Sequence, residues 1–323
     1  MNYFIKLVQA TLCAALSAIT LGAHADEYPS KPVRITVGMA PGGSNDTIAR
    51  LISAELSEKM GKTFVVENKP GANSTIATNE LKRAKPDGYN LMLVISSHVT
   101  NTMLYPNLNY SLDDFKPVTV IAETPFVLVA NPKFKPDTLK EFIDLAKSSD
   151  QKIDFGTPGL GSTQHIAMEL MDQMAGIKMN HVPYKGGAPA QTDLLGGVIP
   201  VIFATPTQSL PFIEKNQLKA IAVTSKERLP QLPHVPTFNE AGLAGYDANV
   251  WFGIIAPKDT PDEIVQSLNK EITSIVKGEK IRTRLEDLGL TPIGSSTEQF
   301  RQLLEQEQAK WQEVIKKANI KFQ

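Results

Sequence analysis

Cysteine is almost missing from this 323-residue chain: the single one, Cys13, lies within the first 25 residues. Those residues read as an export signal, so the product is expected to have no disulfide, no thiol nucleophile and no cysteine metal site. Excess positive charge is missing as well. Lys plus Arg total 33 against 34 Asp plus Glu, which argues against a nucleic-acid partner. Beyond residue 25 no stretch approaches the roughly 18 uninterrupted apolar residues of a membrane span. Catalytic and cofactor signatures are absent too: there is no G-x-S-x-G, no H-E-x-x-H, and no G-x-G-x-x-G after a strand. Gly61-Lys62-Thr63 has the ending of a phosphate loop, but Leu56 stands where such a loop needs glycine. Five histidines, one of them His24 in the leader, suggest no metal cluster. No cofactor is expected.

At the amino terminus, Lys6 precedes an apolar run from Leu7 to Leu21, and Ala23-His24-Ala25 supplies an A-x-A cleavage site. About 15 apolar residues are short for a bilayer anchor. The expectation is an exported product beginning near Asp26.

The rest alternates strand-like and helix-like patterns, which predicts α/β architecture with parallel sheets flanked by helices. Strands are expected at Val33 to Gly38, Phe64 to Glu67, Leu91 to Ile95, Val118 to Ile121 and Phe126 to Ala130. More are expected at Ile153 to Gly156, Lys178 to Pro183, Val198 to Ala204, Leu218 to Thr224 and Trp251 to Ala256. Ile48, Ile52 and Leu56 recur at helical spacing, as do Ile166, Leu170 and Met174. Three charged amphipathic helices are expected at Pro261 to Lys277, Glu279 to Leu288 and Thr297 to Lys317. Pro125 to Pro132 and Val250 to Pro257 are apolar and end in proline, and they bracket a central block. They divide the chain into a signal (1–25), one lobe (26–125 with 251–323) and a second lobe (126–250), with a cleft between the lobes for a small ligand.

Four strand-to-helix junctions share one construction. They are Met39 to Asp46, Ser96-Ser97-His98, Thr157 to Thr163 and Tyr184 to Pro189. Glycine lets backbone approach a ligand, and a helix start offers unpaired N–H groups and partial positive charge, which suits a carboxylate. The same residues also serve as ordinary turns and caps. Asp46 either turns away with Arg50, four residues on, or meets an ammonium on the ligand. His98 either donates to a carboxylate or is a surface histidine; His165 packs and caps; Lys185 either supplies a charge or is solvated. Three function classes fit: a solute receptor, an exported enzyme using Ser96 or Ser97 with His98, and a ligand-sensing adaptor for a membrane sensor. No acid is apparent to orient the histidine.

Several motifs then carry a family resemblance over the whole chain after the leader. Val37-Gly38-Met39-Ala40-Pro41-Gly42-Gly43-Ser44-Asn45-Asp46 with Ala49-Arg50 resembles the opening signature of the Bug proteins, the TctC-like binding components of tripartite tricarboxylate transporters. Glu67-Asn68-Lys69-Pro70-Gly71-Ala72, Lys85-Pro86-Asp87-Gly88-Tyr89, Val182-Pro183-Tyr184-Lys185-Gly186 and Trp251-Phe252-Gly253 before Ala256-Pro257 are further matches. So is Arg228 through Pro233 to Val235-Pro236-Thr237, with Glu240 and Gly242. The resemblance implies a periplasmic two-lobed Venus flytrap with two crossover strands. It would act as a monomer, close on a small carboxylate (a dicarboxylate, tricarboxylate or aromatic acid) and present it to the membrane subunits of the transporter.

Carried over, the ligand-binding residues are Met39, Gly42, Gly43, Ser44, Asn45 and Asp46 in the first lobe and Gly159, Leu160, Gly161, Ser162 and Thr163 in the second. Asn73, Ser96, Ser97, His98, Tyr184, Lys185, Gly186 and Thr205 extend the set. Met39 stands where the family often has an aromatic, and Ala204-Thr205 where it often has aspartate. The expected ligand is therefore a carboxylate without an ammonium.

Overall fold

The computed structural model describes residues 28–105, 107–318 and 320, so the signal at 1–25 lies outside the described residues. The chain divides into two units, Met1–Ser30 and Lys31–Gln323. Every strand and helix among the described residues belongs to the second.

Its first half opens with β1 (Val33–Val37), α1 (Ser44–Met60), β2 (Phe64–Asn68), α2 (Thr75–Lys82), β3 (Asn90–Ile95) and α3 (Ser97–Leu104). Val33, Ile35 and Val37 are fully buried, as a strand covered by helices requires. Ile48, Ile52 and Leu56 form the buried stripe of α1. The long β4 (Phe115–Pro125) then leads directly into β5 (Val127–Ala130). After α4 (Leu139–Ser148) come β6 (Asp154–Thr157), α5 (Thr163–Ala175), β7 (Asn180–Pro183), α6 (Gly187–Gly196), β8 (Val201–Ala204) and α7 (Pro206–Ile213). The chain finishes with β9 (Lys219–Val223), β10 (Asn249–Pro257), α8 (Asp262–Lys277), α9 (Glu279–Asp287), the short β11 (Thr291–Pro292) and α10 (Thr297–Ala318).

The strands form two sheets, ordered β11-β4-β10-β3-β1-β2 and β7-β6-β8-β5-β9. Each contains the same parallel β-α-β-α-β unit: β1 lies between β2 and β3, and β6 between β7 and β8. The sheets are mixed, however, where an all-parallel arrangement was expected. β10 runs antiparallel to β3 and β4, and β5 antiparallel to β8 and β9. These strands are delivered by passages between the sheets instead of by helical crossovers, so nothing forces them into the parallel direction. The apolar face of α5 also differs from expectation. Met174 is 37% exposed, and burial falls on Ile166, Ala167, Met168, Met171 and Ala175. β11 has no counterpart in the sequence reading, because two residues are too few to show a period.

The two passages between the sheets are fastened together. The Phe126 N–H donates to Thr224 Oγ1 (2.8 Å), and the Thr224 N–H donates to Phe126 O (2.9 Å). The same Thr224 hydroxyl donates to Ala248 O at 2.7 Å, just before β10. One side chain thus ties both connections. Helix α10 packs against α3, β4 and α5, so it touches elements of both halves, and Gln173 of α5 donates to Val314 O (3.0 Å).

Gly253 in the centre of β10 reports how tightly the first sheet packs. A Cβ there would lie 2.5 Å from Phe300 Cζ of α10 and 3.2 Å from Thr119 O. Gly253→Ala is expected to destabilise by about 1–3 kcal/mol, the usual cost of overpacking. The check is a lower urea midpoint at unchanged slope, partly recovered by adding Phe300→Leu.

Candidate ligand-binding site

In each parallel unit the central strand's two neighbours are reached in opposite directions. This leaves a crevice between the carboxyl ends of β1 and β3, and another between those of β6 and β8. Helices α1, α3, α5 and α7 start at those four strand ends. Each start carries a hydroxyl: Ser44, Ser97, Thr163 and, at the cap of α7, Thr205. All four hydroxyls are buried, and none has a hydrogen-bond partner within the protein. Burying a hydroxyl without a partner is costly, so these four, one at each helix start, are candidate donors to a ligand or an ordered water. The first N–H groups of each helix have no partner in the helix either, and the helix dipole favours negative charge there.

The first loop is held by groups that leave those donors unobstructed. Asp46 accepts from the Gly42 N–H (3.1 Å) and from Arg50 Nε (3.0 Å), and pairs with Arg50 Nη2 at 2.9 Å. Burial opposes ionisation of Asp46, but the hydrogen bonds from Arg50, Gly42 and Asn68 and the Arg50 charge outweigh it. The carboxyl accordingly sits below the ordinary range. Asp46 therefore faces Arg50, and Arg50 is neutralised. Asn68 donates to Met39 O (3.2 Å), fixing the turn through Gly42 at φ +88°. The N-cap Gly43 accepts from the Thr47 N–H, and a Cβ at Gly43 would meet nothing within 4 Å.

Ser96 and Ser97 are neighbours with different duties. Ser96 Oγ accepts from the Trp251 N–H (3.1 Å), binding the loop to β10, whereas Ser97 keeps its hydroxyl unpaired. His98 is buried beneath them, stacked on Tyr110 at 6.0 Å and edge-on to Phe115 at 5.3 Å. Neither ring nitrogen of His98 has a hydrogen-bond partner, so no serine–histidine pair exists here. Asn45, Ser97 and His98 meet Gly38, Ser74, Thr78 and Asn101 around a recess of about 10 Å³, roughly one water in size.

In the second unit, the Gly159 N–H donates to Thr157 Oγ1 (3.2 Å) and the Gly161 N–H to His165 Nδ1 (3.0 Å). Ser162 caps α5 by accepting from the His165 N–H. Leu160 is 37% exposed. The Gly186 N–H donates to Pro158 O (2.9 Å), joining the two loops of this half. Tyr184 donates to Asp193 (2.7 Å); burial, then this hydrogen bond and the Asp193 charge, push its hydroxyl up to about 12. Lys185 is exposed.

The two halves meet at Asn73, whose amide donates to Gly161 O at 3.2 Å. Asn101, Asn68, Thr157 and His181 are structural members of the site that the sequence reading passed over. Asn68 lay in a quoted motif and Thr157 opened a quoted junction, but neither was singled out. The close stacking of His165 on His181, 3.8 Å between ring centres, joins residues from different elements and has no sequence signature. Among the described residues no group of three or more His, Cys, Asp or Glu could hold a metal ion.

Two of these histidines, with Asp172, set a pH dependence. Burial pulls the His98 imidazole down from 6.5 to about 4. Between those values the unfolded chain binds more protons, so the contribution of neutral His98 is complete above pH 6.5 and lost as pH falls towards 4. His181, pulled down to about 3 by burial and by His165, acts in the same direction. Asp172 opposes them. Burial raises its carboxyl to about 7, so its contribution is present at low pH and fades as pH rises through 7. In His98→Gln, the unfolding free energy should fall less between pH 6.5 and 4.5 than in the unmodified protein, by about 1–3 kcal/mol. Urea unfolding at each pH reads this directly, and equal falls in the two proteins would contradict a neutral buried His98.

Comparison with known proteins identifies the family and the fold. The family described as the tripartite tricarboxylate transporter family receptor, TctC, matches residues 48–320. Protein BugT of Bordetella pertussis is 33% identical over 325 residues, covering all of both chains. The solved structure of R. palustris Rpa4515 with adipate has a TM-score of 0.86 at 34% identity, over 91% of this chain and 99% of that one. MatC (Rpa3494) from Rhodopseudomonas palustris with bound malate has a TM-score of 0.82 at 32% identity, over 89% of this chain and all of the other. The two-lobed α/β fold is thus that of periplasmic binding proteins, and the relatives are receptors and not enzymes. The chain belongs to the TctC family of tripartite tricarboxylate transporter receptors, which includes the Bug proteins.

Proposed function

We propose that this receptor binds a dicarboxylate lacking an ammonium group in the cleft between its lobes and delivers it to the membrane subunits of a tripartite transporter. The observation that carries this reading is the set of four buried, unpartnered hydroxyls at helix starts, two in each half. One pair suits one carboxylate, and the other pair suits a second. Adipate and malate, found in two related structures, are both dicarboxylates. An ammonium has no counterpart here: Asp46 is engaged by Arg50, and Ala204-Thr205 supply no charge.

The ligand-binding residues are those of the four loops named from the sequence, with the hydroxyls of Ser44, Ser97, Thr163 and Thr205 and the helix-start N–H groups as principal donors; His98 lies packed beneath them on Tyr110 and Phe115, and the Asn73 amide is committed to Asn101 and Gly161. Asp46, Ser96 and Tyr184 position the loops. The lobes comprise 26–125 with 251–323, and 126–250. Closure turns about the Phe126–Thr224–Ala248 staple, and a ligand that touches both lobes favours the closed form. The product is a monomer, exported by cleavage of the leader near Asp26.

A thermal-shift series with adipate, malate, citrate, benzoate and glutamate tests the ligand class. At 100 times its Kd a dicarboxylate adds about 2.7 kcal/mol, a rise of several degrees. Adipate or malate should give that rise and be recovered intact, whereas glutamate should give none. A response to glutamate alone would overturn the assignment. Gly43→Val, which has space and an ordinary φ of −84°, should fold with a cost of about 1 kcal/mol at the cap and abolish the shift. Thr205→Asp should weaken dicarboxylate binding at least about tenfold by placing like charge at a donor position.

A further inference from the structure

We infer that Asn73 is a latch between the lobes, a positioning residue that holds the receptor closed; this rests on the receptor reading of the cleft. Ala72, Asn73 and Ser74 have φ of 43°, 51° and 73°, three consecutive non-glycine residues in the left-handed region. Such a run is costly for L-residues and persists only where the surroundings dictate it. Here they do. The Ser74 N–H donates to Gly71 O (3.0 Å), Thr75 Oγ1 to Ala72 O (2.8 Å), and Ser74 Oγ to Gly38 O at the end of β1 (3.2 Å).

The strained turn aims one amide. Asn101 of α3 donates its Nδ2 to Asn73 O and accepts from Asn73 Nδ2 through its Oδ1, both at 2.8 Å. This reciprocal pair fixes which end of each amide carries the hydrogens. It uses one N–H of the Asn73 amide, and the other reaches Gly161 O across the cleft at 3.2 Å. Gly161 is prepared to receive it. Its φ of +70° and the bond from its N–H to His165 Nδ1 set the direction of the neighbouring peptides. Within this run of hydrogen bonds, from Asn101 through Asn73 to Gly161, the last is the link that depends on the lobes being together. It lies beside the start of α5, so a carboxylate drawn to that helix start and the latch favour the same closed state.

The test uses the full chain with Cys13→Ser and nitroxides at Lys62→Cys and Lys215→Cys, two exposed positions in opposite halves. Electron–electron distances are measured with no carboxylate added. Asn73→Gly tolerates the left-handed φ and deletes the amide. It is expected to lower the closed-to-open ratio about fivefold, the equivalent of one hydrogen bond, with folding stability changed little, since relief of the left-handed strain offsets the lost bond to Asn101. Asn73→Asp sets carboxylate oxygens against Asn101 Oδ1 and Gly161 O and should open the receptor further. Distance distributions like that of the unsubstituted chain in both variants would overturn the latch, as would loss of stability with no opening. Because no carboxylate is present, that result would leave the receptor reading intact. Conversely, failure of adipate and malate to raise the melting temperature would leave the latch measurement valid.

Discussion

Helix starts whose hydroxyls have no partner in the protein are the constraint from which the proposed site follows. A helix beginning at the end of a buried strand leaves several N–H groups without partners, and here each of four starts adds a hydroxyl that is equally unpaired. Such groups are tolerable only where a ligand or ordered water completes them. The duplicated β-α-β-α-β unit sets two starts beside each crevice. Everything around them serves to keep the donors available: Asp46 removes the nearby Arg50 charge, Ser96 ties its loop to β10, and Tyr184 is anchored on Asp193. The proposed site thereby assigns recognition of an anion to neutral donors, whose strength depends on being preorganised and shielded from water.

The same structure contains a compact hinge for the proposed closure. The Thr224 side chain and backbone hold the two interlobe passages to each other, so one compact point bears the bending. Around it lie packed elements of low tolerance, as the Gly253–Phe300 contact shows. On the proposed reading, rigid lobes and a small hinge convert a few contacts at the cleft into a whole-body motion. At the opposite end of that motion, the strained turn at Ala72–Ser74 holds one amide ready for the other lobe.

Much of this was legible in the sequence because local physics wrote it there. Apolar strands running into glycine- or serine-bearing turns identify β1, β3 and β6 and the loops after them, and Ile48, Ile52 and Leu56 give the inner face of α1. Strand direction was not legible for β5 and β10, since it depends on the route the chain takes between sheets. The face of α5 was misread because methionine at Met168 and Met171 packs inward as readily as leucine, leaving Leu170 and Met174 outward. Ser96 and Ser97 could not be separated either, because their duties depend on β10, about 150 residues away. The Asn73–Asn101 pair and the His165–His181 stack are contacts between elements and leave no periodic trace.

Deleting the four hydroxyls singly, in Ser44→Ala, Ser97→Ala, Thr163→Val and Thr205→Val, and titrating each variant with the best-binding dicarboxylate by calorimetry tests the central claim most directly. Each removes a buried group that has no partner in the protein, so folding stability should hold or rise while affinity falls about five- to tenfold. Losses of that size from both lobes would establish that one ligand is shared between two preorganised halves. If either lobe's pair could be deleted with no loss of affinity, the account of a ligand held across the cleft would be contradicted.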